Sequence, residues 1–121
     1  MKNITIKTEV TIPLARFVDQ FTSACEGGSN YWCHEVENLV KPKGKNIEAE
    51  DYYKLMLKGF TLVDRESGKT HNVTEEMVSK AIENIGETAP WVLSAILDEN
   101  DDAETGDQFL QLCTFGKVIY G

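Results

Sequence analysis

The sequence predicts a single-domain α+β protein, a small antiparallel sheet covered by several helices. Three observations carry that prediction. Apolar residues recur at helical spacing in separate blocks, most plainly at Leu14, Phe17, Val18, Phe21, Ala24 and Cys25. Phe60-Thr61-Leu62-Val63-Asp64 and the run Lys69 to Val73 flank the turn Arg65-Glu66-Ser67-Gly68, the pattern of a β-hairpin. A chain of 121 residues that is 41% apolar and 26% charged can fill one hydrophobic core, and no repeat or linker divides it.

Each element has its own signal. Asn3 to Thr11 alternates Ile4, Ile6, Thr8 and Val10 with Thr5, Lys7 and Glu9, which predicts a half-buried strand. Pro13 suits a first helical turn, and the stripe that follows predicts a helix from Pro13 to Cys25, ended by Gly27 or Gly28. Tyr31 to Glu37 reads as a strand, although Trp32, Val36 and Leu39 also fall at helical spacing. Lys41-Pro42-Lys43-Gly44-Lys45-Asn46 is a basic loop. A short helix from Ala49 to Lys58, stopped by Gly59, leads into the hairpin. Thr74 caps a helix carrying Met77, Val78, Ala81, Ile82 and Ile85, closed by Gly86. Another short helix starts at Glu87 or Thr88, with Pro90 in its first turn and Trp91, Ala95 and Ile96 facing inward. Asp102 caps a last helix from Ala103 to Phe115, with Phe109, Leu112 and Cys113 buried and Gly116 as its stop. Lys117 to Tyr120 reads as a final strand, so the sheet is expected from the chain's ends and the hairpin.

Composition narrows the function. A net charge of −8 argues against sequence-independent binding of nucleic acid and against anionic membranes. No apolar run approaches the roughly 20 residues that span a bilayer. The start Met1-Lys2-Asn3-Ile4-Thr5-Ile6 lacks a signal peptide's apolar stretch, so a cytoplasmic location is expected.

The chemistry-bearing residues are few. Cys25, Cys33 and Cys113 form neither a C-x-x-C site nor a disulfide framework, and His34 and His71 are far apart in sequence. Cys33 and His34 would point to opposite faces of a strand and make no catalytic dyad. Asp98, Asn100 and Asp102 match the first calcium-ligating positions of an EF-hand loop. Ala103 and Phe109 stand where its glycine and bidentate glutamate belong. No metal, no cofactor and no catalytic residue is therefore assigned.

Two segments carry a family resemblance. Glu26-Gly27-Gly28-Ser29-Asn30-Tyr31-Trp32 resembles an E-G-G-[SI]-[NG]-Y-W signature. The run Asp102-Ala103-Glu104-Thr105-Gly106-Asp107-Gln108-Phe109-Leu110-Gln111, then Phe115-Gly116 and Tyr120-Gly121, resembles a D-A-E-T-[AG]-D-x-[FL]-[LI]-Q…F-G-x-[IV]-x-Y-G ending. Both belong to a small bacteriophage and prophage protein family. The match covers about a quarter of the chain, and Cys113-Thr114 departs from the small apolar residues common in the family. The resemblance implies a phage accessory protein acting in the host bacterial cytoplasm, and supplies no catalytic residue.

Two functional readings follow. In the first, a non-enzymatic inhibitor counteracts bacterial defence by binding a host defence protein, for example a nucleic-acid-binding or CRISPR effector, through an acidic surface. Six of the ten residues from Asp98 to Asp107 are acidic: Asp98, Glu99, Asp101, Asp102, Glu104 and Asp107, with Glu48, Glu50 and Asp51 as further carboxylates. In the second, a sponge sequesters a nucleotide immune signal. Asn30 would bond a base edge, Tyr31 and Trp32 would stack on the ring, and phosphates would draw on Arg16, Arg65, Lys41, Lys43 and Lys45. The competing expectation for the same stretch is a helix stop followed by two core aromatics.

Overall fold

The computed structural model describes residues 3–4, 9–39 and 49–121, without the side chains of 49–51. Helix α1 spans Leu14–Ser23 behind Pro13 and widens into a π-helical turn at Ala24–Gly28. Strand β1 (Cys33–Glu37) follows, then α2 (Ala49–Leu55) and a 3-10 turn at Met56–Lys58. Gly59, with φ of 114°, turns the chain into β2 (Gly59–Asp64), which pairs with β3 (Thr70–Thr74). Helices α3 (Glu75–Glu83), α4 (Ile85–Thr88), α5 (Pro90–Leu97) and α6 (Ala103–Phe115) complete the order.

The sheet is antiparallel in the order β1-β2-β3, with Val36 opposite Leu62, Leu62 opposite His71 and Phe60 opposite Val73. A bulge between Cys33 and Val36 bends β1. Phe60 and Leu62 point into the core while Thr61 and Val63 are half-buried, the period-two pattern of a sheet covered on one side.

The core is organised around α6, which touches α1, α3, α5, β3 and the π-helical turn. Phe109 packs on Phe17 and Phe21 at ring separations of 5.4 and 5.1 Å, and Phe21 meets Phe60 edge-on at 5.7 Å. Trp32 lies 5.3 Å from Phe115 and 5.7 Å from Tyr120. Two glycines permit the α1–α6 approach. A Cβ on Gly106 would stand 2.7 Å from the Gln20 carbonyl oxygen and 2.8 Å from Ser23 Cβ, and one on Gly28 would collide with the Ala103 carbonyl.

The α+β class, the hairpin, the Thr74 and Asp102 caps and the left-handed Gly116 stop agree with the sequence reading. Several details differ. Among the described residues, the sheet takes no strand from the chain's ends. Residues 3, 4 and 9–11 are in no strand and residues 5–8 lie outside the described part, as does the basic loop 41–46. The expected strand from Lys117 to Tyr120 is absent because a side chain takes the place of a neighbouring strand. Gln111 Oε1 accepts the N–H groups of Ile119 and Tyr120, both at 2.8 Å, and Gln111 Nε2 donates to the Tyr120 carbonyl at 3.2 Å. Helix α3 stops at Glu83, and Ile85 belongs to α4. On α5, Val92 and Ile96 fill the core, whereas Trp91 turns outward and is 53% exposed. Leu14 is also exposed, leaving Phe17, Gln20 and Phe21 as the buried residues of α1.

The tail is fastened a second time. Tyr120 Oη donates to Asp64 Oδ2 at 2.6 Å, and Asp64 Oδ1 accepts the Glu66 N–H at 2.9 Å across the hairpin turn. Burial works against the Asp64 charge, but bonds from Tyr120, Ser67 and the turn's backbone outweigh it and hold the carboxyl below its ordinary range. The Tyr120 phenol is pushed up to about 12, first by its bond to Asp64.

Gly106→Ala is expected to destabilise the fold by about 1–3 kcal/mol through overpacking at the helix crossing. Gly86→Ala, whose Cβ would meet only the Leu93 side chain at an ordinary 3.6 Å, serves as the control in urea titrations. A carboxyl whose folded pKa is depressed contributes stability above its unfolded pKa and loses it as pH falls through the folded value. Tyr120→Phe should therefore flatten the loss of stability as pH falls below about 5 and through the depressed folded value, measured by denaturant titration at descending pH.

Candidate functional site

Two constellations emerge from the residues singled out in the sequence. The first is internal. The π-helical turn delivers Ser29, Tyr31 and Trp32 against the middle of α6, where Asp107 is only 5% exposed. Asp107 Oδ1 accepts from Ser29 Oγ at 2.8 Å and from Trp32 Nε1 at 2.6 Å. Its Oδ2 accepts from Tyr31 Oη at 2.5 Å and from Gln111 Nε2 at 3.2 Å. Four donors thus converge on one carboxylate, and Gln111 goes on to clamp the tail. The Tyr31 phenol is pushed far above its ordinary value by burial and then by its bond to, and the charge of, Asp107.

The two signature segments are therefore one buried polar knot. Ser29, Tyr31 and Trp32 come from the first, Asp107 and Gln111 from the second, and Gly28 and Gly106 set the close backbone approach around them. This corrects two expectations. Asp107 is no part of an acidic surface. Trp32 is 0% exposed and cannot stack on a ligand without leaving the core, whereas Tyr31 is 47% exposed and commits only its hydroxyl, to Asp107. Asn30 is exposed, but the pair of ring platforms expected beside it is missing.

The second constellation is external, at the corner between α5 and α6. Arg16 from α1 donates from Nη2 to the Ile96 carbonyl at 3.0 Å and to Asp101 Oδ1 at 2.9 Å, and its Nη1 lies 3.8 Å from Glu99. Gln20, one turn further along α1, donates to Asp101 Oδ2 at 2.7 Å. Asp102 caps α6 by accepting the Thr105 N–H at 3.0 Å, while Thr105 Oγ1 accepts the Asp102 N–H at 3.2 Å. That backbone bond holds the Asp102 carboxyl below its ordinary range. Glu99 sits in the left-handed region at φ 58°, a conformation that few non-glycine residues adopt.

The acidic run thus divides. Asp101 and Asp102 build the corner and Asp107 is internal, while Asp98, Glu99 and Glu104 remain exposed. Glu48 and the side chains of Glu50 and Asp51 lie outside the described residues. Arg16, drawn on above for phosphate binding, is committed to the corner; Lys41, Lys43 and Lys45 lie outside the described residues. Beside the corner, Trp91, Ser94 and Leu97 recur at i, i+3 and i+6 on the outer face of α5. The Trp91 indole N–H donates to Gln108 Oε1 at 2.8 Å, which fixes the exposed ring. The sequence reading gave Arg16 a different task and missed Gln20 and this outward face; the i, i+4 spacing of Arg16 and Gln20 was the available signal.

The cysteines offer little nucleophilic character. Burial pushes the Cys25 thiol up to about 12 and Cys33 up to about 11, and raises Cys113 further. Among the described residues no group of three or more His, Cys, Asp or Glu side chains could hold a metal ion, and no helix is long and apolar enough to cross a membrane. Open cavities occur among the described residues. One of about 310 Å³ lies between α3 and the end of α6, and one of about 290 Å³ lies between β1 and α2. No known family model, no curated protein and no solved structure matches this chain.

Asp107→Ala leaves four donors without their acceptor and is expected to cost about 3–5 kcal/mol, against about 1.5 kcal/mol for Tyr31→Phe, which removes one bond to a charged group. Urea denaturation followed by Trp fluorescence measures both.

Proposed function

We propose that this protein is a non-enzymatic inhibitor that binds a basic surface of another protein with the α5–α6 corner. The observation that carries this reading is the rigid presentation of the corner. Arg16 and Gln20 hold Asp101 and the Ile96 carbonyl in place, so Asp98, Glu99 and Glu104 project from a fixed scaffold beside the exposed Trp91 and Leu97. Pre-ordered groups lose less conformational freedom on binding. A fixed, exposed tryptophan next to an apolar side chain is the type of anchor that dominates interface energies. The surrounding carboxylates steer a basic partner and set register.

The setting comes from the signature resemblance. A phage accessory protein in the bacterial cytoplasm would direct such a corner at a host defence protein, and an effector with a basic nucleic-acid channel has the complementary charge. Sequestration of a nucleotide at Tyr31 and Trp32 has less support, because both side chains serve the Asp107 knot.

Affinity capture from bacterial lysate followed by mass spectrometry should identify the partner, and binding of the purified pair then tests the surface. Asp98→Lys, Glu99→Lys and Glu104→Lys together should weaken binding at least about tenfold and reduce its salt dependence. Trp91→Ala should cost about 2 kcal/mol, chiefly through faster dissociation. A partner that binds both variants as tightly as the wild type rules the corner out.

A further inference from the structure

The cavity between β1 and α2 has a chemistry of its own. Tyr52 and Tyr53 line it with rings 5.7 Å apart and nearly perpendicular, at 86°. Their hydroxyls are already engaged. Tyr52 Oη donates to the Val36 carbonyl at 2.9 Å and Tyr53 Oη to Glu26 Oε1 at 3.2 Å. The hydroxyls are tethered, and the π-systems are what the two residues can still offer a ligand. Ala24, Cys25, Cys33 and Val36 supply an apolar floor, and Asn30, His34 and Glu35 a polar rim.

Carboxylates gather around the cavity, and one cation, Arg65, acts on its Cys33 wall. Glu35 lines the cavity, Glu26 is bonded to Tyr53, and Glu37 lies close enough to Glu35 for its carboxyl to be raised by that neighbour's bond and charge. Among the described residues, no Lys or Arg forms an ion pair with Glu26, Glu35 or Glu37. A phosphate would meet the Glu35 carboxylate here, with Glu26 and Glu37 behind the cavity wall. A positive group would meet those carboxylates and two aromatic rings, whose negative faces attract cations. The volume of about 290 Å³ suits a small organic group.

We infer that the β1–α2 groove is a binding site for an organic cation, an alkylammonium or guanidinium group held against Tyr52 and Tyr53 with Glu35 as counter-ion. Its aliphatic body lies on the Cys25 and Val36 floor. The group belongs either to a free amine or to a basic side chain of a partner, and the site is separate from the acidic corner.

Choline and its uncharged carbon isostere 3,3-dimethylbutan-1-ol test this directly, with the Tyr52 and Tyr53 ring resonances of the intact chain followed by NMR. Choline should shift those resonances and bind about threefold or more tightly than the isostere, the discrimination a cation–π contact supplies. Tyr53→Phe keeps the ring and should retain the preference. Glu35→Gln should weaken choline several-fold, and Tyr52→Leu with Tyr53→Leu should remove the preference altogether. If that double variant does not fold, the first two still decide. Spermidine and a blocked arginine amide separate the sources: tighter binding of the first identifies a free amine, of the second a partner's side chain. The corner variant with Asp98, Glu99 and Glu104 changed to lysine should bind choline as the wild type does, so failure here is distinguishable from failure of the corner. Equal binding of choline and the isostere, no binding of either, or shifts confined to resonances outside the groove overturns the proposal.

Discussion

A single buried carboxylate ties this molecule together. Asp107 stands on the central helix and collects hydrogen bonds from a serine, a tyrosine, a tryptophan and a glutamine. A charge taken out of water is tolerated only when such partners replace its hydration. That requirement fixes where the turn after α1 must run, how deep Trp32 sits and which way Gln111 faces. Gln111 in turn secures the tail, whose Tyr120 reaches Asp64 at the end of β2. One acceptor therefore links the end of α1, the sheet, α6 and the last residues of the chain.

The same constraint accounts for what the sequence did and did not disclose. Caps at Thr74 and Asp102, the stop at Gly116 and the hairpin around Gly68 are local devices, and local chemistry made them legible. Apolar spacing placed Phe17, Phe21, Phe109 and Leu112 correctly in the core. Asp107, Gln111 and Gln20 were opaque because a polar residue read alone looks like surface. Only its partners, some 75 or more residues away for Asp107, make it internal. The final strand was misread for a related reason. Lys117 to Tyr120 has strand-like composition, but its backbone partner is the Gln111 side chain, which no periodicity announces.

The functional surfaces were legible only in part. The density of carboxylates after α5 was plain, yet the division of labour among them was not. Asp101 and Asp102 build the corner that Asp98, Glu99 and Glu104 decorate. In the glycine–aromatic stretch Trp32 is core while Asn30 and the Tyr31 ring stay exposed, and a second aromatic groove lies where Tyr52 and Tyr53 face the bulged β1 strand.

The order of elements along the chain has a consequence for how this molecule is made. The helix at the centre, α6, follows every other described helix and strand. During synthesis, α1, the sheet and α3 to α5 leave the ribosome without the element they pack around. Trp32, Phe21 and Phe60 then have no permanent cover until α6 emerges, and contacts between chain segments so far apart close slowly. Until then the nascent chain leaves that apolar surface without its permanent partner.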